Sequence, residues 1–404
     1  MGGKSDLCQC WWTCLPVDPI FGLHSGMRFS DCIGQQDVSR RLAAAYREGR
    51  VAHAQLFLGP EGSGNLAVAL AYAQFLFCPN KSESDSCGAC PTCRKMETLQ
   101  YADLFFSYPV VTVKGRKEPP ISEDYASYWR ETLLGQGPYL DIDHWLGEIS
   151  EEGKQGDFTV REALSIIRKM NMKGYESPLK IMIIWMAERM KTETANKLLK
   201  LLEEPPENSL FFLVANQSDQ MLATVMSRVQ VIRVNRISDE VILDQLVERG
   251  VNPERAAAVA HYSAGNWWRA LGMVGEGDDG TDLFERFSSW MRCCYKGMVP
   301  EIFQWSNATA ELTREQQKQF LQYSLEQIRQ NIVLNYAGPD LTRMNEGERE
   351  FSRRFSPFIH DLNAVELMNE LGKAHLDISR NVNSRIVLAD LSLKVSKLLA
   401  SSNR

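Results

Sequence analysis

The feature that most constrains the fold is a glycine-framed loop that directly follows a short apolar run. Residues 59–66 read Gly-Pro-Glu-Gly-Ser-Gly-Asn-Leu, and residues 54–58 before them are mostly apolar. In the phosphate-binding loop G-x-x-x-x-G-K-[ST], backbone amides cradle phosphates, the lysine reaches the outer phosphates and the hydroxyl binds magnesium. Gly59 and Gly64 keep the frame, but Asn65 and Leu66 replace the lysine and the hydroxyl residue. We therefore expect a nucleotide-binding fold that does not bind ATP productively.

Length and composition limit the class of protein. A chain of 404 residues predicts two to four domains, at roughly 100 to 200 residues per domain. Its 44% hydrophobic and 24% charged residues are typical of globular domains, and a net charge of -6 argues against broad coating of nucleic acid. No apolar run approaches the roughly 18 residues of a membrane span. We expect a cytoplasmic protein with no membrane partner and reduced cysteines.

Strand and helix patterns alternate through the first half of the chain. The loop lies between a predicted strand and a predicted helix, which is the context that a phosphate-binding loop requires. Alternation of this kind predicts an α/β fold with a parallel sheet. Strands are predicted at 55–58, 180–184, 210–214 and 229–234, and helices at 37–49, 65–77, 192–202 and 160–170, the last with an apolar face of Val160, Leu164, Ile167 and Met170.

Beyond about residue 235 the pattern is helical. We expect helices at 238–249 and 253–263, and long amphipathic helices from about residue 281. The predicted division is a sheet domain at 27–234, a small helical domain at 235–280 and a helical domain at 281–404. One long helix has Thr313 and Gln316 as a capping pair and an apolar stripe of Leu321, Leu325, Ile328 and Ile332, and the last helix has a stripe of Val382, Ile386, Ala389 and Leu393.

Two segments do not fit this pattern. Residues 1–26 contain Cys8, Cys10 and Cys14 without helical or strand periodicity. We interpret them as a disordered extension or as sequence upstream of a true start at Met27, with a metal site as the alternative. Residues 109–157 are polar and rich in proline and glycine, which predicts an insertion or a long surface excursion.

Four cysteines with the spacing C-x8-C-x2-C-x2-C predict a metal site. Cysteine pairs that flank a tight turn can bring both sulfurs onto one ion, and Gly88 and Pro91 favour such turns. Four simply packed thiols are the alternative, but the loop around them is polar. With all four positions supplied by protein, the site would be structural and not catalytic, and zinc is the expected ion. The predicted ligands are Cys78, Cys87, Cys90 and Cys93.

Several motifs resemble bacterial DNA polymerase III clamp-loader subunits of the AAA+ class. Residues 196–206 (NKLLKLLEEPP) are similar to the N-x-LLK-x-LEEPP stretch of the family, and residues 227–229 (Ser-Arg-Val) are similar to its Ser-Arg-Cys motif. Cysteines inserted after the phosphate-loop helix are also typical of that group. Residues 29–35, which end in Ile33-Gly34-Gln35, resemble its adenine-side segment, and residues 381–383 (Asn-Val-Asn) resemble an element of its collar helices. The resemblance implies an AAA+ domain with an inserted zinc knuckle (78–93), a helical lid (235–280) and a collar (281–404).

The ATP-hydrolysing positions point to one branch of this family. By the resemblance, Trp185 and Met186 occupy the positions of the acidic pair, Asn216 or Gln217 that of the polar sensor, and Trp268 that of the lid arginine, with Arg269 displaced by one. Phosphate grip, metal ligation and water activation are thus all lost. The pattern resembles δ′, the non-hydrolysing subunit of the DNA polymerase III holoenzyme. A divergent γ/τ-type ATPase is the alternative, and a zinc-bearing DNA adaptor outside replication is a third interpretation.

The resemblance also implies a role for Arg228. As a trans arginine finger it would project into the ATP site of a neighbouring subunit, where a planar guanidinium clamps a phosphoryl group. The alternative is that it caps the preceding helix or pairs with a surface acid. The implied partners are the γ/τ and δ subunits, with the sliding clamp and primed DNA reached through the assembled complex. Glu203 and Glu204 are expected at a helix end, His53 in a local hydrogen bond, and Trp267 and Trp268 in the lid core.

Overall fold

A five-stranded parallel sheet forms the centre of the first half of the chain. The computed structural model describes residues 27–111, 118–150, 156–276, 281–379 and 382–400. The strand order is β2-β3-β4-β1-β5, and the sheet confirms the predicted α/β class. Every residue of β3 and β4 is buried, as expected for apolar strands covered by helices on both faces. The strands are β1 (Ala54–Leu58), β2 (Leu104–Ser107), β3 (Lys180–Trp185), β4 (Ser209–Ala215) and β5 (Gln230–Arg233).

The strand register brings the segments after β1, β3 and β4 together. Leu58, at the end of β1, lies beside Ala215 on β4 and Arg233 on β5. On β4, Val214 lies beside Trp185, the last residue of β3. Because parallel strands end at the same edge of a sheet, the loops after β1, β3 and β4 meet there.

Helices cover both faces of the sheet. Helix α2 is predominantly apolar on all sides, and all of its residues are buried. The predicted helices at 37–49, 65–77, 160–170 and 192–202 are confirmed within two residues at each end. The helices in this half are α1 (Gln36–Arg47), α2 (Asn65–Phe77), α3 (Pro91–Glu97), α4 (Ala126–Gln136), α5 (Ile142–Ile149), α6 (Val160–Asn171), α7 (Thr192–Glu203) and α8 (Ala223–Met226).

Two details of this half differ from the sequence patterns. Strand β2 was not predicted, because its four residues are too few to show a period. Helix α6 buries Ile166 and Met170 but leaves Leu164 55% exposed, so the predicted apolar face is wrong at that position. The buried face carries Glu162, a polar residue that a count of apolar positions does not assign to the core.

Residues 109–157 are more than a surface excursion. Their described part contains α4 and α5 and buries Trp129, Tyr139 and Trp145. The ring of Trp129 lies 4.3 Å from that of Tyr108 and 5.1 Å from that of Trp185, measured between centroids. The helical segment therefore extends the hydrophobic core beyond the carboxyl edge of the sheet.

The second half is helical, as predicted. Thr313 and Gln316 form the expected capping box of α14, and Leu321 and Ile328 are buried on it. Across the described residues, none of the helices combines the length and apolar character needed to cross a membrane. The helices are α9 (Asp239–Glu248), α10 (Pro253–Ser263), α11 (Trp267–Glu276), α12 (Thr281–Lys296), α13 (Val299–Ala310), α14 (Arg314–Ala337), α15 (Glu346–Phe355), α16 (Asp361–Ser379) and α17 (Ser384–Ala400).

The stripe predicted on the last helix is wrong at two of its four positions, Val382 and Ile386. Ile386 is 67% exposed and Val382 precedes the helix. Helix α17 packs against α12, α13 and α16, so its buried face is set by three neighbours. That face comprises Val387, Leu388, Ala389, Leu391, Ser392, Val395 and Leu399. The domain boundaries at residues 234 and 280 stay predictions. The predictions made for residues 1–26 and for Asn381 concern positions outside the described residues.

Candidate functional site

The loop after β1 keeps the backbone of a phosphate-binding loop. Gly62 and Gly64 have φ angles of +69° and +89°, which disfavour side chains, and α2 begins directly after Gly64. A Cβ atom on Gly59 would lie 2.4 Å from the carbonyl oxygen of Val234. These contacts explain why the glycines are present although the lysine and the hydroxyl residue are not.

Asn65 replaces the lysine with a set of short-range hydrogen bonds. Its Nδ2 donates to the carbonyl oxygens of Gly59 and Ala215, both at 3.2 Å, and to Oδ1 of Asn216 at 3.0 Å. Its Oδ1 accepts from the amide of Leu66 at 2.8 Å. Asn65 and Leu66 are both buried. The side chain at the lysine position therefore ties the loop to the end of β4 and does not reach out toward a phosphate.

The positions expected for the acidic pair are also part of the protein interior. Trp185 is buried against the ring of Trp129 in the 109–157 segment, and Met186 is buried with a φ angle of +58°. Nδ2 of Asn216 contacts Sδ of Met186 at 3.6 Å, and the amide of Asn216 donates to Oε1 of Glu188 at 2.8 Å. Burial raises the pKa of Glu188. Asn65, Asn216 and Met186 thus form a connected structural network.

Residues that sequence patterns did not associate with the loop cover its outer side. Tyr139 lies over Gly64, and Asn266 lies over Gly62, where an added Cβ would come within 1.9 Å of its Oδ1. Trp267 donates its amide hydrogen to the carbonyl oxygen of Gly62 at 3.1 Å. Each of these residues is more than 70 positions from the loop, so no local motif indicates the contact.

The four predicted cysteines meet in one cluster. Their sulfur atoms all lie within 4.8 Å of one another, with separations of 3.6 Å for Cys78–Cys87 and 3.9 Å for Cys78–Cys90 and Cys87–Cys93. Four sulfurs at about 2.3 Å from one ion in a tetrahedron are about 3.8 Å apart. All four cysteines are free thiols. The cluster therefore has the size and ligand set to hold one metal ion.

The backbone of this knuckle is arranged to stabilise thiolates. The amide of Cys90 points at the sulfur of Cys87 at 3.3 Å, and the amide of Cys93 at the sulfur of Cys90 at 3.4 Å. Hydrogen bonds from the amides of Ala89 and Cys90 lower the pKa of Cys87 to about 6, whereas burial raises the pKa of Cys78 and Cys93. Because metals bind thiolates, at least one ligand is ready for coordination at neutral pH.

Arg228 lies at the surface, where α8 meets β5, and is already paired within the chain. Its guanidinium forms an ion pair with Oε1 of Glu203, at the end of α7. It also donates to the carbonyl oxygen of Thr224 at 2.6 Å and to Oγ of Ser227 at 3.1 Å. The side chains of Arg228 and Glu203 are 30% and 45% exposed. Helix capping and acid pairing, the alternative stated above, are thus both present in this structure.

Other residues named from the sequence have local roles. Nε2 of His53 lies 2.8 Å from the carbonyl oxygen of Leu202, which is the hydrogen bond expected for it. Trp267 is fully buried. Trp268, at the position of the lid arginine, packs against His144 with ring centroids 4.9 Å apart. Arg269 donates to the carbonyl oxygen of Gln319 at 3.4 Å and thus faces α14.

The first strand of the parallel sheet leads into a glycine frame at the N-terminus of a helix. This arrangement places the chain in the class of α/β folds that bind nucleotides. Within that class, the family described as "DNA polymerase III, delta subunit" matches residues 34–238, about half of the chain. The chain therefore belongs to this family, as the motif resemblance predicted.

Individual relatives carry related names. The chain is 25% identical to DNA polymerase III subunit delta' of Bacillus subtilis over 57% of this chain and 56% of that protein. It is 27% identical to subunit delta' of Escherichia coli over 46% and 44% of the two chains. Identity to subunit tau of Bacillus subtilis is 23% over 56% and 32%. The matched region thus spans about half the length of these delta' relatives.

Proposed function

We propose that this chain is a δ′-like, non-hydrolysing subunit of the DNA polymerase III clamp loader. In that role it supports ATP-dependent loading of the sliding clamp onto primed DNA, together with γ/τ and δ subunits. The single observation that carries the non-hydrolysing assignment is the hydrogen-bonded network of Asn65, Asn216 and Met186. These residues occupy the lysine, sensor and acid positions, and they satisfy one another instead of facing a nucleotide.

Nucleotide binding by the purified full-length chain tests this assignment. We expect no saturable binding of ATP with magnesium in equilibrium dialysis, because the phosphate grip and the magnesium ligands are absent. Saturable binding accompanied by turnover would instead favour a γ/τ-type ATPase. Co-purification with γ/τ and δ subunits tests the partnership separately, and failure to assemble with them would favour an adaptor outside replication.

The proposal assigns Arg228 as an arginine finger that acts on the ATP site of a neighbouring subunit. In the isolated chain, Glu203 holds the guanidinium through an ion pair that is partly exposed. Exposed ion pairs contribute only about 0 to 1 kcal/mol, so a phosphate in a docked neighbour can compete for the arginine. The contacts with Thr224 and Ser227 keep the side chain at the surface near the end of α8.

Reconstitution of the loader measures the effect of this residue. We expect Arg228→Ala to lower DNA-stimulated ATPase turnover by at least about tenfold, since trans arginine fingers contribute roughly 10³ to 10⁵ in GTPases. Arg40→Ala is a matched control, because Arg40 is also a surface arginine paired with an acid, Asp37. Unchanged turnover with Arg228→Ala in a fully assembled complex would contradict the finger assignment.

We also propose that the four-cysteine knuckle holds one structural zinc ion. The sulfur separations and the all-thiolate ligand set support tetrahedral zinc with no open position for water. Elemental analysis of the purified chain should find about one zinc per chain, and Cys90→Ser should abolish it. Cys294→Ser is the control, because Cys294 is a buried free thiol outside the knuckle. Stoichiometric zinc that survives Cys90→Ser would disprove this site.

A further inference from the structure

Tyr139 lies in the turn between α4 and α5 and projects onto the phosphate-type loop. Its side chain is buried, with 5% of its surface exposed. A Cβ atom added to Gly64 would lie 2.7 Å from Cε1 of Tyr139 and 3.3 Å from its hydroxyl oxygen. The ring is therefore in van der Waals contact with the backbone at the N-terminus of α2. A loop of this form at a helix N-terminus is where phosphates bind, because its amides and the helix dipole favour anions.

The tyrosine hydroxyl extends the contact to the segment that precedes α1. It accepts a hydrogen bond from the amide of Ile33 at 2.9 Å. Ile33 comes just before α1, so the side chain spans from the loop to the segment that leads into that helix. Next to this bridge, Nε2 of Gln35 donates to the carbonyl oxygens of Ser63, at 2.9 Å, and Asn235, at 2.7 Å.

The amides that would contact phosphate are partly used inside the loop. The amide of Ser63 donates to the carbonyl oxygen of Pro60 at 3.1 Å, and that of Leu66 donates to Oδ1 of Asn65. Together with Tyr139, Asn266 and Trp267, these contacts fill the space over the glycine frame with protein atoms.

The segment that carries Tyr139 is anchored on both sides of the turn. Before α4, Ser122 donates its amide hydrogen to Glu162 at 2.7 Å. In α5, Nε1 of Trp145 donates to the carbonyl oxygen of Pro109 at 2.8 Å, and Asp143 pairs with Lys318 of α14 at 2.9 Å. The turn is therefore held by the sheet domain and by the helical domain at once, and it is not a loose loop.

We propose that the turn around Tyr139 is an internal plug, in which this side chain occupies the space over the loop where a nucleoside phosphate would lie. The tyrosine ring then blocks the nucleotide site sterically, in addition to the loss of the lysine and the hydroxyl residue. Replacing Asn65 and Leu66 with functional residues would not reopen it. This inference does not depend on the clamp-loader role, because it concerns only the pocket of this chain.

Binding of ADP to restored-loop variants of the full chain tests the plug. The background is Asn65→Lys with Leu66→Thr, and labelled ADP with magnesium is followed by equilibrium dialysis. We expect no saturable binding in this background and none after adding Tyr139→Phe, which keeps the ring. Adding Tyr139→Ala should make ADP binding saturable, with a dissociation constant at least about tenfold (1.4 kcal/mol) below the highest ADP concentration used. Tyr128→Ala is the matched control, since Tyr128 lies on α4 and is 51% exposed.

One result would overturn the plug: ADP binding that does not strengthen when Tyr139→Ala removes the ring from a folded restored-loop chain. Should Tyr139→Ala fail to fold, Tyr139→Val replaces it with the same expected gain. Hydrogen exchange supplies an independent readout in the natural loop. Tyr139→Phe should speed exchange of the Ile33 amide by at least about tenfold, and unchanged exchange there would show that the hydroxyl does not bridge the pocket.

Discussion

The phosphate-type loop (residues 59–66) and the surface corner formed by Arg228 and Glu203 differ in how their side chains are held. In the loop, Asn65 and Leu66 are buried, and the Asn65 side chain bonds to the carbonyl oxygen of Gly59, to the side chain of Asn216 and to the Leu66 amide. At the corner, Arg228 is 30% exposed and is held by an ion pair and two hydrogen bonds at the surface. Buried polar groups are costly to leave without partners, whereas surface ion pairs contribute little. The loop residues are therefore part of the core, whereas the ion pair of Arg228 at the surface can break at little cost in free energy.

The largest loss of unfolding free energy is expected for substitutions in the aromatic core beside the loop. Trp145 is fully buried, lies edge-on to Tyr108 and Trp129, and donates Nε1–H to Pro109. Trp145→Ala should lower the free energy of unfolding by about 3 to 5 kcal/mol, as expected for a large buried aromatic residue. Urea denaturation measures this loss. The exposed Tyr175→Ala should change the unfolding free energy by less than about 0.5 kcal/mol, and equal losses would show that this segment is not core.

A smaller loss of unfolding free energy is expected for substitutions of Asn65. Asn65→Ala removes the donor for Gly59, Ala215 and Asn216 and should cost about 1 to 3 kcal/mol in unfolding free energy. Asn65→Asp keeps the shape but turns a carboxylate oxygen toward these three acceptors, so it should cost at least as much as alanine. Thermal denaturation of both variants at one pH makes the comparison. An aspartate variant as stable as wild type would mean that the network does not hold the loop.

Glu188, which accepts a hydrogen bond from Asn216 in the same network, should make the free energy of unfolding vary with pH. Because burial raises its pKa in the folded chain, the folded state binds more protons than the unfolded state between the ordinary glutamate pKa and the raised one. This contribution to stability is complete below the ordinary pKa and is lost as the pH rises through the raised pKa. Glu188→Gln should flatten this decline. Denaturation midpoints measured from about pH 4, near the ordinary glutamate pKa, up through neutral pH give the slope, and identical slopes would exclude Glu188 as its source.

The smallest effect on stability is expected at the corner. Arg228→Ala and Glu203→Gln should each change the unfolding free energy by no more than about 1 kcal/mol, because the pair is partly exposed. Calorimetry of the isolated chain measures both. A loss above about 2 kcal/mol for either variant would mean that the pair is structural. The surface ion pair would then stabilise the fold as much as the buried loop residues do.

Much of the fold was readable from sequence patterns. Long apolar runs predicted β3 and β4, and the capping pair Thr313 and Gln316 marked the start of α14. The patterns failed where neighbours determine which face is buried. Leu164 is exposed because the face of α6 that bears Glu162 meets the sheet domain, and Ile386 is exposed because α17 turns another face to three helices. Strand β2 was missed because four residues carry no period.

Sequence alone established the glycine frame, the substitutions at Asn65 and Leu66, and the four cysteines, because each is a matter of residue type at short spacing. Tertiary structure revealed that Tyr139 covers the loop, that Asn65 bonds to Asn216, and that Glu203 holds Arg228. These contacts join residues 25 to 151 positions apart. Their geometry follows from how the sheet, the 109–157 segment and the helices pack together, and no local pattern of residues encodes such packing.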